Sequence, residues 1–286
     1  MSILQILILA VVQGAAELLP ISSSAHVIVA EKLMHLDPSS PEMTLLLVML
    51  HTGTMFACIF YFWKSWKAHY FSSGRAIWDI SKLVIAATAC TGIVGLAIKY
   101  LIEKVALRNV PHAEVELLFG NLFLIASALA AVGILIIYSG YYEKKSNPAS
   151  PLTLSSSIWI GLIQGICLPF RGFSRSGATI STGLLSGVDK IKAEEFSFAL
   201  AVVITPPVII HSVLRLLKAH AANVLNTTDL MALFYPSLLG MLFSFVSGIL
   251  ALKLLSNFLN KNRWHYFGLY CLLASCIIFI LHYCGF

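Results

Sequence analysis

The sequence predicts an all-α integral membrane protein in which six transmembrane helices and two re-entrant helical hairpins form an inverted repeat. Three observations carry this. Of 286 residues, 58% are hydrophobic and only 11% charged, and the mean hydropathy is +0.87, far outside the range of soluble globular chains. Two apolar stretches are each broken by a polar turn, leaving halves too short to cross a bilayer, which takes about 20 apolar residues. Each broken stretch is followed by three unbroken apolar runs, so both halves of the chain follow one plan.

The first hairpin is expected over residues 2–34, with short helical stretches at 2–19 and 24–34 parted by Pro20-Ile21-Ser22-Ser23-Ser24. Its opening, Ile3 to Val12, resembles the apolar part of a signal peptide, but no Lys or Arg precedes it and Glu17 follows, so mature structure is expected. Spans follow at about 43–63, 82–102 and 117–139, each near bilayer-crossing length. The polar linker Glu143-Lys144-Lys145-Ser146-Asn147-Pro148 marks the midpoint of a single membrane domain, residues 1–286, with halves of about 1–140 and 151–286. The second hairpin is expected over 154–188: Ile158 to Phe170 is almost entirely apolar, Ala178 to Val188 reads as another helix, and two arginines sit at the turn between them. Polar backbone at membrane depth survives only when buried in protein or lining a wet cavity, so this turn reads as an anion-holding loop. Three more spans are expected at about 196–217, 230–255 and 264–284, the first kinked by Pro206-Pro207.

The hairpins carry a weak echo, Gln13-Gly14 in one and Gln164-Gly165 in the other. A re-entrant hairpin returns to the side it left, so three spans per half place the second half upside down, with the hairpin tips meeting near the midplane. The competing architecture is an ordinary bundle in which these segments are irregular spans. Loops at 64–82, 140–152, 187–195 and 253–263 hold more Lys and Arg than the side with both termini. Positive-inside bias then puts both termini outside the cytoplasm, although Lys99, Lys104 and Arg108 on the outer side narrow the margin.

A net charge of +6 would suggest nucleic acid in a soluble chain, but here short basic loops account for it, and no nucleic acid is expected. The six cysteines lie within apolar runs without a C-x-x-C pair, so buried free thiols are expected rather than disulfides or zinc ligands.

Two groups of residues suit chemistry. In the first hairpin Gln13 and Glu17, spaced i, i+4, share a helix face before the turn. A carboxylate there is costly unless it binds a cation or exchanges protons; pointing into the outer headgroups is the bland alternative. Past the turn, Ser23 and His26 at i, i+3 form a candidate nucleophile and base; a packing histidine is the alternative. In the second hairpin Arg175 and Thr179 are i, i+4, and Ser174-Arg175-Ser176-Gly177 sits at a helix start, where free N–H groups and the dipole favour anions. Arginine supplies a bidentate fork suited to phosphate, and Gly172 and Gly177 permit close approach to a ligand. Here the alternative is an arginine that merely pairs with Glu17. His51, Thr52 and Thr54 in the first span, and His211 and Arg215 in the fourth, read as packing or snorkelling residues. Together the two tips would suit a phosphate ester or pyrophosphate with a divalent cation.

These residues resemble the undecaprenyl-diphosphate phosphatases, also called bacitracin-resistance proteins, over nearly the whole chain. Gln13-Gly14-Ala15-Ala16-Glu17-Leu18-Leu19-Pro20-Ile21-Ser22-Ser23-Ser24-Ala25-His26 is similar to the family's first motif, Ser174-Arg175-Ser176-Gly177-Ala178-Thr179 to its second, and His51-Thr52-Gly53-Thr54 to a further pattern. The resemblance implies an integral membrane hydrolase that removes the terminal phosphate of a C55 polyprenyl diphosphate and regenerates the lipid carrier for envelope polymers. It implies six spans plus two hairpins, a divalent cation such as Mg²⁺ or Ca²⁺, and location in the bacterial inner membrane. Under it, Glu17, Ser23, His26 and Arg175 would be catalytic. Ser174, Ser176, Gly177 and Thr179, with Arg171 and Gly172, would hold the substrate, and Glu17 and Gln13 the metal. The family usually has Pro-Gly where this chain has Arg171-Gly172.

Undecaprenyl diphosphate and membrane lipid are the expected partners, with a homodimer left open. The main rival is a polyprenyl-phosphate transporter or flippase, because inverted repeats with broken helices also build transporters. Transport needs an anion site but no nucleophile with a base. The type-2 phosphatidic-acid phosphatases are a second rival, but the downstream His and Asp of their motifs have no counterpart after Ser174-Arg175.

Overall fold

The computed structural model describes residues 1–37, 40–106, 108, 118–146, 150–221 and 227–285. Among the described residues the chain forms ten α-helices and no strand. They are α1 (Ile3–Leu18), α2 (Ser23–Leu33), α3 (Pro41–His69), α4 (Gly74–Leu101), α5 (Leu122–Ser146), α6 (Leu154–Cys167), α7 (Arg175–Leu185), α8 (Lys190–Ala221), α9 (Thr227–Asn260) and α10 (His265–Tyr283). A π-helical turn, Ile102–Ala106, extends α4.

Six of these helices, α3, α4, α5, α8, α9 and α10, are long and apolar enough to cross a membrane. The apolar α1 and α6 have 16 and 14 residues, or roughly 24 and 21 Å at 1.5 Å per residue, short of the ~30 Å hydrocarbon core. Both open with a capping box, Ser2 with Gln5 and Thr153 with Ser156, which satisfies the free N–H groups of the first turn. Residues 64–82, expected as a loop, are mostly helix. α3 carries its polar end through Lys64, Lys67 and His69, and α4 starts at Gly74 behind the Ser73 cap, whose Oγ accepts from Ala76 N at 3.2 Å. Basic side chains at helix ends can reach water while the backbone ladder continues, so charge does not mark the break. Pro206 and Pro207 lie inside α8, which runs on past them. The side chains of His211 and Arg215 lie outside the described residues.

Helix surfaces sort for lipid rather than water. Along α4, Ala87, Thr91 and Gly95 are buried at i, i+4, i+8, while Ile85, Ile93 and Leu96 are exposed. All six cysteines are free. The expectation that they would all be buried needs correcting, because Cys276 on α10 and Cys284 just past its end are exposed and Cys90 is half-buried; the outer face of an apolar helix needs no shelter from lipid. Pairings run across the two halves: α1 lies along α9, α6 along α4, and α5 along α10. Two glycines let α9 take in its neighbours closely. A Cβ on Gly14 of α1 would stand 2.5 Å from Ser244 O, and one on Gly53 of α3 would stand 2.3 Å from Met241 O, the close backbone approach that small residues permit between membrane helices. The main core, including Leu18, Ala25, Ile125, Leu129, Ile136, Ala178, Phe198 and Leu252, lies where the two short helix pairs come together.

Candidate active site

The turn between α1 and α2 is built by serines. Ser22 caps α2, its Oγ accepting from Ala25 N at 3.5 Å, and it sits at φ +67°, a conformation rare for a residue with a Cβ and common where function demands strain. Its carbonyl accepts from His26 Nδ1 at 2.8 Å, so Nδ1 carries the ring hydrogen. The other nitrogen, Nε2, is 2.8 Å from the Tyr270 hydroxyl of α10, and the two rings stack with centroids 5.7 Å apart.

Ser23 therefore does not donate to His26. Its single hydroxyl hydrogen goes to Glu17 Oε2, at 2.5 Å. That carboxylate is the hub of the site. Gln13 Nε2 donates to Oε2 at 3.3 Å, Arg175 Nη2 donates to Oε1 at 2.8 Å, and His51 Nε2 stands 4.0 Å from Oε2. Glu17 and Arg175 side chains are only 18% and 21% exposed, so each charge needs the other and its hydrogen bonds to be tolerated there. Arg175 Nη1 is buried with no hydrogen-bond partner. A charged donor left in that condition is costly, and an anion would satisfy it.

The second turn is held by its own hydroxyls. Ser174 caps α7 by accepting from Gly177 N at 3.2 Å, and Ser176 Oγ donates to Leu19 O of the first hairpin at 3.3 Å. Thr179, fully buried, donates to Arg175 O at 2.8 Å and pairs with Ser197 Oγ of α8 at 2.6 Å. Gly172 adopts φ +100°, its N–H donates to Ser24 Oγ at 3.3 Å, and a Cβ there would stand 2.3 Å from Ile125 O. Arg171 is exposed, with its guanidinium 4.4 Å above the Phe119 ring, so Arg175 is the arginine that reaches Glu17.

Gln13, Glu17, Ser23 and Arg175 thus share one contact group, while His26, one turn beyond Ser23, contacts Ser22 and Tyr270 instead. Ser174, Ser176, Gly177 and Thr179 shape the turn that carries Arg175, while Arg171 stacks on Phe119 and Gly172 ties the turn to Ser24. Three residues outside the expected set join them: His51 next to Glu17, Tyr270 on His26, and Ser197 behind Thr179. His51 falls in a motif that carries the resemblance, yet its own spacing reads as packing; Tyr270 and Ser197 carry no signal of their own. A carboxylate, a hydroxyl and an arginine with a spare buried donor can bind a phosphoryl group and act on it.

The family model described as bacitracin resistance protein BacA matches residues 6–277. The chain is similar to undecaprenyl-diphosphatase 2 of Acinetobacter baylyi, at 54% identity over 98% of each chain. It is also similar to undecaprenyl-diphosphatase 1 of Burkholderia pseudomallei, at 32% identity over 96% of this chain and 95% of the other. For the undecaprenyl-diphosphatase of Korarchaeum cryptofilum the identity is 31%, over 98% and 100%.

Proposed function

We propose, because this chain belongs to the bacitracin resistance protein BacA family, that it hydrolyses undecaprenyl diphosphate to the monophosphate and phosphate, recycling the lipid carrier for cell-wall synthesis. One observation carries the reading at the level of residues: Arg175 reaches across to Glu17, which also holds the Ser23 hydroxyl, while Arg175 Nη1 stays buried and unpartnered. A diphosphate placed against that nitrogen would bring its terminal phosphorus beside Ser23 and Glu17. Arg175 would then neutralise the charge that develops on the phosphoryl oxygens, in a setting where such donors count for more than in water. His26, fixed by Ser22 and Tyr270 one turn beyond Ser23, would act from the edge of this group. The turn formed by Ser174, Ser176, Gly177 and Thr179, with Arg171 and Gly172 at its mouth, would receive the phosphate. The prenyl chain would run out along the apolar helix faces into lipid.

A divalent cation, Mg²⁺ or Ca²⁺, fits these donors. Glu17 offers a carboxylate, and Gln13, one turn before it, turns its amide nitrogen toward that carboxylate, so its amide would have to flip to add an oxygen; no group of three or more His, Cys, Asp or Glu converges among the described residues. That suits a hard ion held by few protein oxygens and completed by substrate. When bound, it would offset the charge of the diphosphate.

We read the two short helix pairs as re-entrant hairpins of an inverted repeat, supported by the exchange in which α1 lies on α9 and α6 on α4. The chain is a multi-pass membrane protein; the inner membrane, with both termini on the periplasmic side, is the proposed location, and a homodimer is compatible with it. The deciding experiment is phosphate release from C55 diphosphate by the purified protein, with and without chelator. Binding without release would fit a carrier and defeat the hydrolase.

A further inference from the structure

We propose that Tyr270 is a positioning residue for the reaction: acting through His26, it holds the strained turn that presents Ser23 to Glu17. This rests on the hydrolase reading. The turn needs such a hold. Ser22 combines φ +67° with ψ +97°, outside the regions that a residue with a Cβ occupies at ease, and a conformation of this kind persists only where its surroundings over-determine it. The first backbone bond of α2, from His26 N to Ser22 O, is stretched to 3.4 Å. The firmer grip on that carbonyl is the His26 side chain, whose Nδ1 donates to it at 2.8 Å.

A carbonyl can only accept, so Nδ1 carries the hydrogen and Nε2 of the neutral ring is an acceptor. Tyr270 fills it. Its hydroxyl donates to Nε2 at 2.8 Å, and the two rings stack with their planes 13° apart, so the bond sets the rotation of the imidazole and the stack sets its tilt. Both nitrogens of His26 are thereby occupied. The hydroxyl hydrogen of Ser23 goes to Glu17 Oε2 instead, and what His26 contributes is the shape of the turn.

α10 fixes the other end of that turn as well. Cys271 Sγ donates to Pro20 O at 3.3 Å, so two neighbouring residues of one helix hold the chain on both sides of Ser22, Cys271 directly and Tyr270 through the imidazole. The support is itself anchored. Ser275 Oγ donates to Ala126 O of α5 at 2.7 Å, and Trp264 Nε1, at the start of α10, donates to Ser139 of α5 at 3.0 Å and Ser181 of α7 at 3.2 Å. Because α7 carries Arg175 at its first turn, both sides of the site are referenced to the same helix. Misplacement of a reacting group by about 1 Å can cost 10²-fold in rate, so a brace of this kind acts on turnover without touching substrate.

The test uses the purified full-length protein in detergent with C55 diphosphate, reading phosphate release and thermal unfolding. Tyr270→Phe keeps the stack and loses the bond. Its kcat is expected to fall about tenfold, the scale of one lost hydrogen bond, with KM within about twofold and the unfolding temperature close to wild type. Tyr270→Ala, which loses the stack too, should fall further. In a His26→Gln background Tyr270→Phe should cost nothing more, because the phenol acts only through the imidazole. A merely structural tyrosine would lower the unfolding temperature and leave kcat of the folded protein unchanged. One that touched the diphosphate would raise KM or multiply the loss in the double variant. Either pattern, or wild-type kcat in Tyr270→Phe, would overturn the assignment. If the wild type itself released no phosphate, the hydrolase reading would fail instead.

Discussion

Arg175 Nη2 lies 2.8 Å from Glu17 Oε1, an ion pair between residues 158 positions apart that joins the turns of the two short helix pairs. Neither charge would be tolerated in this apolar setting alone, so the contact is both the closure of the fold at this point and the place where an anion can be met.

Glu17→Gln keeps the size of the side chain and a hydrogen-bonding oxygen but removes the charge that Arg175 and Ser23 address. Phosphate release by the purified variant is expected to fall by about 10²-fold or more, on the scale of losing one preorganised electrostatic group. Full activity would leave Glu17 as structural glue.

Arg175→Lys preserves charge and loses the fork that lets one nitrogen hold Glu17 while the other faces a phosphate. A loss of about 10²-fold or more is expected, with the protein still inserted and folded. Arg171→Ala, at an exposed arginine stacked on Phe119, is expected to cost less than tenfold, the scale of an exposed cation–π contact. Comparing the two under identical conditions tests which arginine holds the diphosphate.

Much of this arrangement is legible in the sequence for a plain reason. Bilayer thickness sets helix length, so residues 43–63 and 264–284 announce α3 and α10. Pro20 and the serines after it, or Arg171 to Ser174, announce turns where apolar runs stop short. Glu17 and Arg175 stand out because charge is rare in such surroundings. What stays hidden depends on which helix lies beside which. Tyr270 meets His26 from 244 residues away, and nothing local in α10 marks it. Ser23 and His26 look like partners at i, i+3, yet the single hydroxyl hydrogen goes to the carboxylate of another helix. The hydroxyls of Ser174 and Thr179 look like ligands beside an arginine, whereas capping and back-bonding occupy them first.

Chelation tests the cation. On the proposal that Glu17 and Gln13 hold a divalent cation, an excess of chelator is expected to abolish turnover, and Mg²⁺ or Ca²⁺ should restore it. Turnover unchanged by chelator would remove the metal from the reaction and leave Arg175 as the main counter-charge.

Gly172→Ala separates the shape of the second turn from its charge. At φ +100° a residue with a Cβ is strained by about 1–3 kcal/mol from backbone conformation alone. The added carbon would also stand 2.3 Å from Ile125 O, on a helix that cannot yield because Ile125 is itself buried in the core. The turn must move, and the N–H of residue 172 would then lose Ser24 Oγ, one of the few contacts tying the second turn to the first. Both stability and placement of Arg175 should suffer. Thermal unfolding in detergent is expected at a clearly lower temperature, with activity reduced even below that transition, whereas Arg175→Lys should lose activity at nearly unchanged unfolding temperature. If Gly172→Ala unfolded and turned over like the wild type, the tight turn against α5 would not be what positions Arg175.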